Sequence, residues 1–316
     1  MERVVISRYF LINGKNMQKI IIHEVGIRDG LQMEKQVVPI EQKIKWINEL
    51  LGSGVDIIQV GSFVHPEKVP QMADTDKLFA ELTRNKTSKT IFSGLVLNEK
   101  GLERGEKCGV EMYCMGVSAS ETHSKKNTGM GIAEATERII VMAKQVIVMG
   151  KPVQVSVQSA FGCGFEGAVP HERVLGIVQK YIDAGLKKIS LADTAGYATP
   201  DQVEKLYEAI FKLDSSIEAA CHFHNTYGMG LANVYAAMKI GVQNYESSIA
   251  GLGGCPFTKV AAGNVCTEDF VHALQRMDFR KEIKLPGLID LAKDFAAFFN
   301  REMPGLVYKI GNINHD

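Results

Sequence analysis

Two histidines in the segment HFHNTYG, His222 and His224, have the spacing of a metal-binding pair. Residues two apart on a β-strand point to the same side, so both imidazoles can face one ion. The carboxylate of Asp29 and the amide oxygen of Asn264 extend the pair to a mixed set of nitrogen and oxygen donors. Such a set leaves positions for water or substrate on an octahedral ion such as Mg²⁺ or Mn²⁺. These residues therefore predict an open divalent-metal site.

The histidine pair alone is weak evidence for a metal, because two imidazoles also occur as a hydrogen-bonded pair in protein cores. The RDG segment that contains Asp29 favours a site over that alternative. A structural zinc site is less well supported, since zinc would be expected to recruit Cys221 or Cys255 and close a tetrahedron.

The glycine-rich stretch GLGGCPFTKVAAGN, from Gly251 to Asn264, contains Cys255. One interpretation is a phosphate cradle or a plain turn-rich connection. The other is a mobile lid that brings a thiol over the metal once substrate has bound. A thiol relays a proton if its pKa lies near the working pH, so Cys255 is a candidate for proton transfer.

The elements that must position these residues alternate along the chain. Short runs of β-branched residues predict strands, and apolar residues spaced by about 3.6 between them predict helices. Three of the helices begin after a proline, Pro39, Pro170 and Pro200, which suits a first helical turn. The predicted strands are 19–26, 55–61, 90–97, 110–118, 152–159, 187–193, 217–223 and 243–249, and the clearest helices are 39–52, 132–149, 170–184, 200–213 and 228–240.

This alternation, with no linker rich in Pro, Gly or Ser, favours a single closed (β/α)₈ TIM barrel of the α/β class. A doubly wound open sheet is the competing architecture. It would need a glycine turn for phosphate after the first strand, and GIRDGLQ is not GxGxxG. We expect residues 1–18 to be an N-terminal extension and residues 19–316 to be one barrel domain. The amphipathic segment 285–303 predicts an additional C-terminal helix on or beside the barrel.

The reactive groups of such a barrel stand at the C-terminal ends of the strands and in the loops that follow. The unusual polar residues of this chain fall at those places. Arg28 and Asp29 end the first predicted strand, Gln59 lies on the second, Asp193 ends the sixth, His222 and His224 end the seventh, and Asn264 follows the glycine-rich stretch.

The composition is that of a soluble globular protein, with 46% hydrophobic residues and 36 basic residues against 36 acidic ones. Balanced charge disfavours a nucleic-acid partner. No apolar run approaches the roughly 20 residues that cross a bilayer, so no membrane partner is expected. The six cysteines form no CxxC pair, which indicates free thiols in a reducing compartment, and we expect a cytoplasmic protein.

Seven motifs are specific enough to indicate a family: EVGIRDGLQ (24–32), SFVHPEKVPQM (62–72), GCGFEG (162–167), ADTAGYATP (192–200), HFHNTYG (222–228), GLGGCPF (251–257) and AGNVCTED (262–269). Through them the chain, from about Ile21 to Arg301, resembles 3-hydroxy-3-methylglutaryl-CoA lyase, of the metal-dependent DRE-TIM lyase and synthase superfamily. The last two motifs separate the lyases from the isopropylmalate and homocitrate synthases. The resemblance implies cleavage of a 3-hydroxyacyl-CoA, with acetoacetate and acetyl-CoA as products of the parent substrate, and we expect a homodimer.

The resemblance also implies roles for individual residues. Asp29, His222, His224 and Asn264 would ligate the metal, Arg28 would stabilise the developing enolate, and Cys255 would assist proton transfer from its loop. Asp193 matches a carboxylate important to catalysis, and Asp269 matches a second carboxylate behind the loop. For both aspartates, helix capping or support of other site residues is the alternative. Gln32 and Gln59 are expected to bind substrate or to support the site.

Two positions depart from the family pattern. The family usually has a glutamate where this chain has Gln59, which keeps an acceptor oxygen but loses the charge and any base function. The family also tends to have a basic residue near CoA where Glu302 follows Asn300-Arg301. Either change suits a related substrate, such as a citramalyl-CoA or a longer 3-hydroxy-3-alkylglutaryl-CoA. Two further alternatives are an aldolase or Claisen-type synthase of the same superfamily acting on a free acid, and a barrel kept as a binding scaffold.

Overall fold

The computed structural model of the protein describes residues 20–84, 86–254 and 263–313. Eight parallel strands in these residues close into a barrel, in which each strand pairs with the next along the chain and β8 pairs with β1. The structure confirms the predicted (β/α)₈ architecture and all eight predicted strands, while the expected N-terminal extension, residues 1–18, lies outside the described residues. The strands are β1 (Ile21–Glu24), β2 (Ile57–Ser62), β3 (Ile91–Leu95), β4 (Met112–Ser118), β5 (Val153–Gln158), β6 (Lys188–Asp193), β7 (Glu218–Phe223) and β8 (Asn244–Ser247).

Helices cover the outside of the barrel, which is why strands such as β2 and β4 are buried along their whole length. Pro39 and Pro170 immediately precede α1 and α6, and Pro200 is the first residue of α7, as their spacing predicts. The α-helices of the described residues are α1 (Ile40–Ser53), α2 (Thr75–Thr83), α3 (Glu99–Cys108), α4 (Glu121–Thr128), α5 (Ile132–Val148), α6 (His171–Asp183), α7 (Pro200–Leu213), α8 (Gly230–Lys239), α9 (Thr267–Arg276), α10 (Leu285–Phe298) and α11 (Val307–Ile310).

Two short polar helices, α3 and α4, are not among the clear sequence predictions, and their caps explain how they begin. Asn98 Oδ1 accepts a hydrogen bond from Gly101 N at 2.8 Å, and Ser120 Oγ accepts one from His123 N at 3.2 Å. Each bond satisfies a backbone donor that the first helical turn leaves free. Local capping therefore defines these helices where apolar periodicity is weak. No described helix combines the length and the apolar composition that spanning a membrane requires.

The barrel interior changes from apolar to polar along the strands. Ile57, Met112 and Cys114 form a small buried cluster separate from the main core, with Ile21 and Ile91 packed against it. Since alternate residues share one face of a strand, the side chains two positions after Ile21, Ile57 and Ile91 also point inward. Those side chains are His23, Gln59 and Ser93, all of them buried. The barrel therefore presents polar groups toward the C-terminal ends of its strands.

An aromatic stack attaches the C-terminal helix α10 to α1, as the amphipathic segment predicts. The Trp46 ring lies on Phe295 with centroids 3.7 Å apart and meets Phe298 edge-on at 5.2 Å. The indole Nε1 donates to Asp294 Oδ2 at 2.6 Å, so the polar atom of this buried ring is also satisfied. The additional helix is thus a packed part of the structure.

We expect Phe295→Ala to lower the free energy of unfolding by about 3–5 kcal/mol, because it leaves a cavity against Trp46. Urea denaturation followed by circular dichroism measures this change. Val148→Ala, at an 88% exposed position on α5, is the matched control and should change stability by no more than about 0.5 kcal/mol. Equal stability of the two variants would contradict the role of the aromatic stack.

Candidate metal centre

A tight turn after β1 places Arg28 and Asp29 at the mouth of the barrel. Residues Gly26–Gly30 form one π-helical turn, in which Val25 O accepts hydrogen bonds from the amides of Arg28 (3.1 Å) and Asp29 (2.7 Å). A Cβ on Gly26 would lie 2.6 Å from Glu24 Oε1, so the turn needs glycine there. Both Arg28 and Asp29 are buried, which places two opposite charges side by side out of solvent.

The structure brings His222 and His224 together with Asp29. The two Nε2 atoms are 3.0 Å apart, and Asp29 Oδ2 lies 3.8 Å from His222 Nε2 and 3.9 Å from His224 Nε2. One donor atom from each residue falls within 4.8 Å of the others, so the three residues are close enough to hold one metal ion. All three are buried. The described residues thus contain a possible metal site of two nitrogens and one oxygen.

Asn264 lies directly beside this group. Its Nδ2 donates to Asp29 Oδ2 at 2.8 Å and to Leu252 O at 3.0 Å, and its backbone forms an isolated bridge with His224. Its Oδ1 is buried and has no hydrogen-bond partner among the described residues. A buried amide oxygen without a partner costs free energy unless a cation or a donor satisfies it, so Asn264 fits a fourth oxygen ligand.

Close packing holds Asn264 in this position. Gly253 lies at φ +114°, and a Cβ there would come within 2.5 Å of Asn264 Nδ2 and 3.4 Å of Asp29 Oδ2. The start of the glycine-rich stretch therefore passes directly over Asn264 and Asp29, two of the proposed metal ligands. Cys255, the predicted proton-transfer residue, lies outside the described residues.

Arg28 and Asp29 each contact one of the two glutamines that the sequence analysis assigns to substrate binding or site support. Its Nε donates to Gln59 Oε1 on β2, and its guanidinium contacts Asp29 Oδ1 at 2.5 Å. Gln32 Nε2 also donates to Asp29 Oδ1, at 3.3 Å. Gln59 and Gln32 therefore touch the charged pair beside the histidines, and their roles in binding substrate or supporting the site stay predictions.

Burial and neighbouring charges set the protonation of these groups. Burial alone would raise the pKa of Asp29, but Arg28, His222 and His224 outweigh it and hold that pKa well below its usual range. Burial lowers the pKa of His224 to about 4, with a further lowering by His222. At neutral pH His224 is therefore uncharged and Asp29 is ionised, which are the forms that bind metal.

Glu246 is a buried acid beside the histidines that the sequence analysis does not predict. Glu246 on β8 lies with Oε2 2.8 Å from His222 Nδ1. Burial opposes its ionisation, but the hydrogen bond and charge of His222 dominate and lower the pKa of Glu246 to about 2. The same carboxylate, together with Asp29, raises the pKa of His222 above its usual value despite burial. The available signal was an acidic residue inside an otherwise buried strand, NYES.

Asp193 ends β6, as predicted, and its side chain contacts backbone amides of the turn that follows the strand. Its carboxylate accepts hydrogen bonds from Tyr197 N at 2.8 Å and Ala198 N at 3.1 Å, which shapes the following loop. Burial raises the pKa of Asp193 to about 6, although these bonds and the nearby His222 lower it. Its catalytic role stays a prediction.

Asp269 lies apart from the three-donor group in its contacts. Its carboxylate accepts hydrogen bonds from the amides of Leu306 (3.0 and 3.1 Å) and Val307 (2.7 Å), at the beginning of α11. The capping alternative describes these contacts, because they tie the C-terminal segment to α9. A role for Asp269 in the reaction is a prediction that these contacts do not test.

Fold and centre together define a class of protein: a (β/α)₈ barrel with a candidate metal site where such barrels carry out their chemistry. The family model described as HMGL-like matches residues 19–294. The chain therefore belongs to the HMGL-like family, and it is a lyase. This confirms the family resemblance that the motifs indicate.

Several known lyases are similar over nearly the whole chain. A hydroxymethylglutaryl-CoA lyase of Bacillus subtilis is 35% identical over 287 residues, covering 91% of this chain and 95% of that protein. An (R)-citramalyl-CoA lyase of Chloroflexus aurantiacus is 34% identical over 305 residues, covering 94% and 96%. The structure of an HMG-CoA lyase from Acinetobacter baumannii in complex with coenzyme A and 3-methylmalate has a TM-score of 0.88 and 35% identity, covering 94% of this chain and 97% of that one.

Proposed function

We propose that this protein is a divalent-metal-dependent lyase that cleaves 3-hydroxy-3-methylglutaryl-CoA, or a close 3-hydroxyacyl-CoA, to acetyl-CoA and acetoacetate or the matching keto acid. The observation that supports this most is the convergence of Asp29, His222 and His224 next to the guanidinium of Arg28. The names of the relatives support the same reaction, and the relative bound to coenzyme A supports an acyl-CoA substrate.

Asp29, His222, His224 and Asn264 are the residues that would hold Mg²⁺ or Mn²⁺. Imidazole nitrogens and carboxylate or amide oxygens suit either ion, and the group includes no thiolate among the described residues. When bound, the ion would supply Lewis acidity that lowers the pKa of a substrate hydroxyl.

Side chains of this protein would stabilise the charge and transfer the protons in the remaining steps of the reaction. The 3-hydroxyl loses its proton, the C2–C3 bond breaks, and its electron pair becomes the enolate of acetyl-CoA. Arg28 supplies a guanidinium group, which can hold that negative charge as it develops. A proton then returns to C2, a step for which Cys255 is the candidate. Asp193, with a pKa of about 6, is a candidate to take the hydroxyl proton.

A second candidate is cleavage of a related acyl-CoA, citramalyl-CoA. Gln59 favours it, because the amide contacts Arg28 where the resemblance predicts a glutamate. The Chloroflexus relative, an (R)-citramalyl-CoA lyase, makes this substrate the natural comparison. The homodimer, the cytoplasmic location and the single domain over residues 19–316 stay predictions.

Purified protein incubated with Mg²⁺ and each acyl-CoA tests the proposal directly. We expect 3-hydroxy-3-methylglutaryl-CoA to be cleaved to acetyl-CoA and acetoacetate. Any cleavage of citramalyl-CoA would release acetyl-CoA and pyruvate. Chelation of the metal should abolish turnover, and readdition should restore it. Absence of acetyl-CoA release from both substrates in the metal-loaded protein would refute the proposed lyase.

Gln59→Glu should raise turnover of 3-hydroxy-3-methylglutaryl-CoA, by about 10²-fold if the new carboxylate acts as a base. The reason is that a carboxylate adds charge and proton affinity where the amide provides only an acceptor for Arg28. Steady-state kinetics with both substrates measures the effect. Unchanged turnover of 3-hydroxy-3-methylglutaryl-CoA, combined with strong activity on citramalyl-CoA, would show that Gln59 is suited to the other substrate.

For Arg28→Lys we expect turnover to fall by about 10²–10³-fold, because a point charge cannot reproduce the guanidinium fork around the enolate. Metal affinity should change much less, since Arg28 is not among the proposed donors. Calorimetric metal titration and steady-state kinetics separate these effects. Lys45→Arg, at a surface ion pair with Asp294, is a control that should leave both quantities unchanged. Wild-type turnover in Arg28→Lys would remove Arg28 from the mechanism.

A further inference from the structure

Glu246 is a buried carboxylate that faces the candidate metal centre from a strand next to the histidines. It is the register partner of His222 in the parallel β7–β8 pair, so the two side chains leave the sheet at the same height. Its Oε2 lies 2.8 Å from His222 Nδ1, and Glu246 is 9% exposed. The contact is therefore built into the strand register.

Donors on two other strands hold the second oxygen of this carboxylate. Gln154 on β5 donates its side-chain amide to Glu246 Oε1, and Ser190 Oγ on β6 lies 3.5 Å from the same atom. Because these donors converge on Glu246, the group acts as an acceptor, and His222 Nδ1 is then the N–H donor of the remaining bond. The position of Glu246 is thus determined by β5, β6 and β8 together.

The hydrogen bond to Nδ1 determines which nitrogen of His222 has a free lone pair. A neutral imidazole has one N–H, so a proton on Nδ1 leaves the lone pair on Nε2. His222 Nε2 is the atom 3.0 Å from His224 Nε2 and 3.8 Å from Asp29 Oδ2. Of the two histidines, His224 has no equivalent support within the described part of the chain, since its Nδ1 has no hydrogen-bond partner there.

We propose that Glu246 is the positioning residue of this centre: it fixes His222 in the tautomer whose Nε2 lone pair faces the other proposed metal ligands. This inference rests on the proposed metal-dependent lyase function. Carboxylates that hold a metal-binding histidine in this way typically contribute about 10–100-fold to metal affinity. Gln59 cannot take over the role, because its side chain contacts Arg28 and not the histidines.

The tautomer of His222 is measurable in the metal-free protein. Nitrogen-15 imidazole spectra, recorded at alkaline pH so that His222 is neutral and assigned with a His222→Gln variant, should show Nδ1–H and an unprotonated Nε2 in the wild type. Glu246→Gln should add the Nε2–H tautomer, because an amide can donate to Nδ1 as well as accept from it. Glu218→Gln, an exposed acid on the same strand as His222, is the matched control and should leave the spectrum unchanged. An unchanged tautomer in Glu246→Gln would overturn the proposal.

Calorimetric titration with Mn²⁺ provides the second measurement. We expect Glu246→Gln to weaken Mn²⁺ binding by about 10–100-fold and Glu218→Gln to leave it unchanged. Glu246→Asp keeps the charge but shortens the side chain, so it should also weaken binding and serves if the glutamine variant does not fold. The double variant Gln59→Glu/Glu246→Gln separates position from net charge: its affinity should stay as low as that of Glu246→Gln.

Wild-type affinity in both Glu246 variants would overturn the positioning role, and recovery in the double variant would show that only net charge matters. These outcomes differ from failure of the lyase proposal, in which the wild-type protein itself would bind no Mn²⁺ or release no acetyl-CoA. In that case the tautomer measurement still decides whether Glu246 orients His222.

Discussion

The buried negative charge of Asp29 is the constraint around which the mouth of the barrel is organised. A carboxylate removed from water is stable only if charges or hydrogen-bond donors surround it. Here the guanidinium of Arg28, the amides of Gln32 and Asn264, and two imidazoles supply that environment from three separate parts of the chain. The pKa of Asp29 is consequently held well below its usual range. Placing this charge correctly requires β1, β7 and the segment after the glycine-rich stretch to meet.

A second buried acid, Glu24, joins the segments that carry these groups. Its Oε1 accepts hydrogen bonds from Gly26 N at 2.7 Å and Ile249 N at 2.9 Å, while Oε2 accepts from Thr267 Oγ1 at the start of α9. The turn that holds Arg28 and Asp29 is thereby tied to the segment after β8. Burial raises the pKa of Glu24 to about 7, although the hydrogen bonds from Thr267, Ile249 and Gly26 lower it.

Periodicity makes part of this arrangement predictable from the sequence. His222 and His224 share a strand, so a period of two suffices to place both imidazoles on one side. Glu246 is different, because its position opposite His222 depends on the pairing of β7 with β8 and on no local pattern. Asp193 and Asp269 are the opposite case. The family motifs assign both aspartates to the site, but the hydrogen bonds of their carboxylates in the structure are to backbone amides. Side-chain direction and strand register, which a single sequence does not contain, separate these cases.

The distribution of buried charge bears on what the centre can bind. On the arginine side, Arg28 contacts one carboxylate, Asp29, which also lies beside the histidines, and one neutral amide, Gln59, so its contacts among the described residues include no second negative charge. On the histidine side, Glu246 provides a full negative charge close to His222. A divalent cation is favoured near the histidines, and an anion is favoured near Arg28, since opposite charges attract most strongly where water is excluded. A glutamate at position 59 would instead place a second carboxylate in contact with Arg28. The glutamine therefore suits a substrate that brings a negative charge of its own against Arg28.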